Sequence, residues 1–185
     1  MFEEGSAVLY MKVGTHANED LTSIIARKKR EIEETGVAMW GYGGNTCHPT
    51  HMVQPFAQAK TAAGKSIVLA MEPMNSRHLA DPLRAEEFSR NGTTDWERVP
   101  DGINVVGSRF ALCLKTLEEV DAELHLAQTR VAIGPSRGKV GSKYVRGRVD
   151  KACLEVVRYS DESVRTAAIK LIAELIAPYA VFLRS

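Results

Sequence analysis

Residues 37–44, Val-Ala-Met-Trp-Gly-Tyr-Gly-Gly, set the fold, because a short apolar run there breaks into a glycine-rich turn. Val37 to Trp40 has the apolar continuity of a buried strand, and the glycines that follow end it. Upstream, Asp20 supplies a helix cap, and Leu21, Ile24, Ile25, Lys28 and Ile32 mark one partly apolar helical face that stops at Gly36. Further upstream, Ala7 to Val13 (AVLYMKV) is another apolar strand. Downstream, a helical pattern from Thr50 to Ala63 precedes a third strand, Ser66 to Met71 (SIVLAM). Strand, helix, strand, helix, strand at this spacing predicts an N-terminal βαβαβ parallel unit over residues 1–72, within a mixed α/β fold.

The rest of the chain changes character. Pro73, Pro82, Pro100, Asn91-Gly92 and Asp101-Gly102 punctuate residues 73–102, an irregular excursion with a short helix expected around 85–90. Residues 103–158 carry apolar runs at 103–106, 109–114, 124–133 and 148–157 that predict a β-rich, largely antiparallel part. Val164, Ala168, Leu171, Ile172 and Leu175 recur at helical spacing, so residues 160–185 are expected to hold a C-terminal helix. That helix is expected to pack on its own sheet, with a homodimer interface as the functional alternative. The length of 185 residues suits one globular domain.

Composition narrows the function classes. With 24 Lys+Arg against 23 Asp+Glu, the formal net charge is +1, which excludes an evenly basic or acidic surface. Three cysteines with no CxxC argue against a disulfide framework and a thiolate zinc cage, so no metal and no cofactor is expected. The opening MFEEGSAVLY lacks a basic stretch followed by an apolar one, so a cytoplasmic location is expected. The uncharged run from Leu175 to Leu183 is far short of the roughly 20 residues that span a bilayer, so no membrane partner is expected.

Two stretches carry chemistry. A glycine turn after a buried strand lets backbone amides approach a ligand, and the positive end of the next helix favours an anion. Gly41, Tyr42, Gly43, Gly44, Asn45 and Thr46 are therefore candidate ligand-binding residues, beside the competing reading of a tight structural turn. The pattern is only half of a dinucleotide fingerprint, because Thr46 stands where its third glycine belongs. Cys47 at a helix start is a candidate nucleophile with His48, His51 or His16 as base, although most single cysteines are small buried residues. His16 and Glu72 each follow a predicted strand at the same sheet end, where a base and a carboxylate can orient a ribose or activate water.

The second stretch is basic. From residue 137 to residue 151 six cations face one acid, and Arg137, Lys139, Lys143, Tyr144 and Arg146 are candidate phosphate- and base-contacting residues. The plain alternative is a solvated loop. Together the two stretches predict binding of a phosphate-bearing ligand, a nucleotide or a short nucleic-acid segment. A Cys/His-dependent hydrolase or transferase acting on a nucleotide-like substrate and a non-catalytic protein-interaction module are the alternatives.

Overall fold

A computed structural model of the chain describes residues 1–157 and 165–185. The protein is a mixed α/β fold rich in strands. β1 (Ala7–His16) leads into α1 (Leu21–Thr35), β2 (Ala38–Tyr42), a wide π-type turn (Pro49–Val53), α2 (Gln54–Ala62) and β3 (Ile67–His78). Then follow β4 (Glu87–Ser89), β5 (Glu97–Arg98), β6 (Phe110–Leu114), β7 (Glu118–His125), β8 (Thr129–Val131), the short α3 (Gly141–Tyr144), β9 (Lys151–Val156) and β10 (Thr166–Arg184). The strands run in the order β2-β6-β10-β3-β1-β9-β8, with β4 and β7 also paired to β10 and β5 paired to β4.

Local signals account for α1. The Asp20 carboxylate accepts from the Ser23 amide at 3.0 Å and from its hydroxyl at 2.8 Å, occupying an orphan donor of the first turn. Gly36 closes the helix in the left-handed region at φ 81°, where a side chain is strained. Between β1 and α1 the chain reverses at Ala17-Asn18, while His16 and Glu19 exchange backbone hydrogen bonds of 2.9 Å in both directions.

The expected βαβαβ unit is present only in part. β1 and β3 do pair in parallel, from Ala7 opposite Ile67 to Val13 opposite Pro73. β2 does not join them; it runs antiparallel to β6, with Trp40 opposite Leu112. A run that is apolar on both faces suits any buried sheet, so Val37 to Trp40 carries no local instruction about its partner. The 85–90 stretch holds the three-residue strand β4 rather than a helix, with Ser89 buried and hydrogen-bonded to the Thr94 carbonyl at 2.5 Å. Residues 103–106 pack in the core beneath α1 without joining a strand, apart from a single bridge between Arg84 and Val106.

The expected C-terminal helix is a strand. β10 has 19 residues, and its odd-numbered positions from Ala167 to Leu175 are buried while Thr166, Ala168 and Lys170 are exposed. That period of two is the mark of a strand, and it coexists with helical spacing because the segment is rich in Ala, Leu and Ile. Hydrogen bonding on both edges decides between them: β7 and β6 lie along one edge, β3 and β4 along the other. Among the described residues of this segment there is no helix to form a dimer interface. The beginning of the expected helix, residues 160–164, lies outside the described residues.

Alternation in β1 shows how the core is shared. Leu9, Met11 and Val13 join Trp40, Leu69, Met71, Leu112 and Phe56 in the main cluster. Val8 and Tyr10, pointing the other way, meet Leu124, Val145, Leu154 and Ile169 in a second. A third cluster, around Met39, Ile103, Val105 and Val181, covers the outer face of the β2, β6 and β10 region. No described helix is long and apolar enough to cross a membrane.

Candidate functional site

A cavity of about 610 Å³ opens at the ends of β1 and β2. Its walls come from residues 11–16 of β1, the turn at 41–46, one face of α1, the segment at 104–108 and residues 148–151. The volume lies within the roughly 300–1,000 Å³ of small-molecule sites. These walls meet because β1 delivers His16 to the rim, and the tight reversal after it swings α1 back across the same end.

Salt bridges stiffen one wall. Lys28 and Glu31 are 1% and 2% exposed, and Lys28 Nζ donates to both Glu31 carboxylate oxygens at 2.9 Å and to the Asn104 carbonyl at 2.8 Å. Glu31 Oε1 in turn accepts from the Asn104 amide at 3.0 Å and from Arg27 at 3.3 Å. Arg27 also reaches Glu19 and the Asn104 carbonyl. Burial pulls the Lys28 ammonium down to about 8, against the opposing pull of Glu31. The network pins residues 104–108 to α1. There His16 Nε2 lies 3.1 Å from the Val106 carbonyl and 3.2 Å from Ser108 Oγ. A carbonyl only accepts, so Nε2 carries the proton in that contact.

The cavity is electropositive. Lys12, Arg27, Lys28, Arg148 and Lys151 line it, with Asp150 the single carboxylate among the lining residues. Arg27 and Lys28 are neutralised by Glu19 and Glu31, and Lys151 by Asp150 at 2.7 Å. Among the described residues, the side chains of Lys12 and Arg148 have no ion-pair or hydrogen-bond partner.

The glycine turn divides by role. A Cβ on Gly41 would stand 2.2 Å from Ser108 Oγ and 2.9 Å from Val105 Cγ1, so this glycine lets β2 pack against the 104–108 wall. At Gly43 and Gly44 a Cβ would meet nothing within 4 Å, which leaves the cavity side open. Trp40 and Tyr42 are both buried; the Tyr42 ring lies 5.4 Å from Phe110 and its hydroxyl donates to the Cys47 carbonyl at 2.7 Å. Tyr42 is thus wall rather than an exposed stacking platform. Asn45 is exposed and Thr46 half-buried at the rim.

Of the proposed catalytic set, only His16 lines the cavity. Cys47 is 1% exposed within the main core cluster, and a hydrogen bond with Cys47, then burial, pushes the neighbouring Cys153 thiol up. His48 stacks on His51 at 4.4 Å and meets Phe110 and Phe182 edge-on at 5.5 and 5.3 Å. Burial first, then His51 and Arg109, lowers the affinity of His48 for a proton. Glu72 accepts the Tyr10 hydroxyl and stands opposite Lys12 in the sheet. Among the described residues no group of three His, Cys, Asp or Glu could hold a metal ion.

The basic stretch enters the cavity only at its end, through residues 148–151. Arg137, Lys139, Lys143 and Arg146 are exposed outside the lining, and half-buried Tyr144 packs against the second core cluster. Sequence reasoning missed Lys12, Arg148 and the Arg27–Lys28–Glu31–Asn104 network. One signal for the network was visible: Lys28 falls on the apolar face of α1, four residues after Ile24, where a cation needs a buried partner. No family model, curated protein or solved structure matches the chain.

Proposed function

We propose that the protein binds a phosphate-bearing, nucleotide-sized ligand in the cavity between the ends of β1 and β2. The observation that carries this reading is the pair of cations, Lys12 and Arg148, that have no partner among the described residues and line a cavity of about 610 Å³ whose other cations are already neutralised. An exposed cation costs little, but cations converging on one concave site gain from an anion that neutralises them. Gly43 and Gly44 support the reading by leaving open space along that wall. His16, with Nε2 held by the Val106 carbonyl, borders the same space as a polar group to orient the ligand. Buried Cys47 is remote from such chemistry, since a nucleophile must reach its substrate.

Calorimetric titration with inorganic phosphate and with nucleoside mono- and triphosphates, at low and moderate salt, tests the reading. Binding that weakens with salt, and falls about tenfold or more in the Lys12→Ala/Arg148→Ala variant, is expected. Absence of binding to every probe at low salt overturns it.

A protein-interaction surface on residues 73–102 is a second reading, favoured by Leu79 and Leu83, which are 81% and 61% exposed. Loss of a captured partner on Leu79→Ser/Leu83→Ser substitution supports that reading, and capture by this variant unchanged from wild type removes it.

A further inference from the structure

The chain is almost neutral overall, yet from residue 131 to residue 149 there is no carboxylate and there are five cations: Arg137, Lys139, Lys143, Arg146 and Arg148. All five are exposed. Among the described residues none takes part in an ion pair; Arg146 alone makes a side-chain hydrogen bond, from Nε to the Ser142 carbonyl at 3.1 Å.

The stretch is also built rather than loose. Gly138 donates to the Val131 carbonyl at 2.8 Å, Tyr144 to the Val140 carbonyl at 3.0 Å, and Val145 is fully buried in the second core cluster. Val149 donates to the Arg146 carbonyl at 3.0 Å, so Arg146 and Arg148 share one turn, and that turn runs directly into the lining residues 148–151. Exposed cations on a hydrogen-bonded backbone that begin outside a cavity and lead into it match a ligand with several phosphates along a chain. A mononucleotide would use the cavity and leave the outer cations without a purpose.

We propose that the cavity receives one unpaired nucleotide of a single-stranded nucleic acid, whose adjoining phosphates lie along Arg148, Arg146 and Lys143. This rests on the reading of the cavity as a phosphate-ligand site. A base must be unpaired to enter a pocket, which selects a single strand over a duplex. The outer cations add affinity without reading sequence, because phosphate contacts are the same at every base.

The test compares a fluorescein-labelled single strand of 12 nucleotides, its duplex and a mononucleotide against the wild-type chain and the Lys143→Glu/Arg146→Glu variant. The single strand is expected to bind at least tenfold more tightly than either other probe. With three phosphates engaged, the logarithm of its affinity should fall with the logarithm of salt at a slope of about −2. The variant should lose tenfold or more on the strand while keeping mononucleotide affinity and the wild-type melting temperature. Equal affinity for strand and mononucleotide, equal affinity for strand and duplex, or a variant that weakens strand and mononucleotide alike overturns the proposal and leaves the cavity reading standing. Failure of all three probes to bind removes both.

Discussion

Lys28 and Glu31, one turn apart in α1, face each other in the cavity wall with Nζ 2.9 Å from both carboxylate oxygens and almost no solvent contact. Removing one member leaves a buried charge alone, which typically costs about 3–5 kcal/mol, whereas replacing both with apolar groups is often near neutral. Glu31→Gln is therefore expected to destabilise the protein by about 3 kcal/mol or more. The Lys28→Met/Glu31→Leu double variant should recover most of that loss, less the Asn104 amide contact it forfeits. Urea denaturation measures both; a double variant no better than Glu31→Gln would show that the pair itself holds the wall.

The same lysine gives a signed dependence on pH. Its folded value is about 8 against an ordinary 10.5, so between these values the unfolded chain binds the extra proton and stability due to Lys28 rises with pH. Cys113 acts in the opposite sense: burial pushes its thiol from 9.0 to about 12, so its contribution is whole below 9.0 and is lost as pH rises from there. The window between pH 8 and 9 therefore belongs mainly to Lys28. Urea midpoints at pH 7, 8 and 9 should climb more steeply in the wild type than in Lys28→Met, and parallel slopes would refute the assignment.

Glycines near the cavity should separate into structural and ligand-facing positions. Gly107 has φ 60°, and a Cβ there would stand 2.9 Å from the Ala80 Cβ, 2.9 Å from the Asp81 carbonyl oxygen and 3.0 Å from the Ala17 Cβ. Gly107→Ala and Gly41→Ala are each expected to cost about 1–3 kcal/mol in stability. Gly43→Ala, in open space, should keep the melting temperature and weaken phosphate-ligand binding. A Gly43→Ala variant that binds unchanged would remove the turn from the site.

Burial of Cys47, Cys113 and Cys153 predicts slow thiol chemistry in the native state. Iodoacetamide at neutral pH should label the folded protein far more slowly than the urea-unfolded chain. Rapid labelling of Cys47 before unfolding would restore it as a candidate nucleophile.

Helix α1 was legible in full, since its cap at Asp20 and its stop at Gly36 are both local. β1, β3 and the glycine turn were legible as elements from their apolar runs and glycines, although β3 continues to His78, past its expected end at Met71 and into the stretch expected to be irregular. The partner of β2 was not, because the preference of Trp40 for Leu112 over β1 is set by the packing of distant residues. In β10 the apolar spacing fits both periods, and only the pairing of Leu171 with Met71 on one side and Glu119 on the other excludes a helix. Of the residues singled out for the candidate site, His16 and residues 41–46 border the cavity, whereas Cys47, His48, His51 and Glu72, grouped by closeness to glycines and strand ends, do not, because such closeness does not fix the direction of a side chain. Lys12 and Arg148 stand far apart in sequence and gain meaning only when the fold joins them.

The position of β10 also has a kinetic consequence. Leu171 lies opposite Met71, one hundred residues earlier, and Phe182 lies opposite both Ser89 and Phe110. Until that strand seats itself, β3 and β6 each present an unsatisfied edge, because β10 lies between them in the sheet. Folding should therefore be a late, slow closure governed by the search for remote partners, with its intermediates the species most prone to stick to one another.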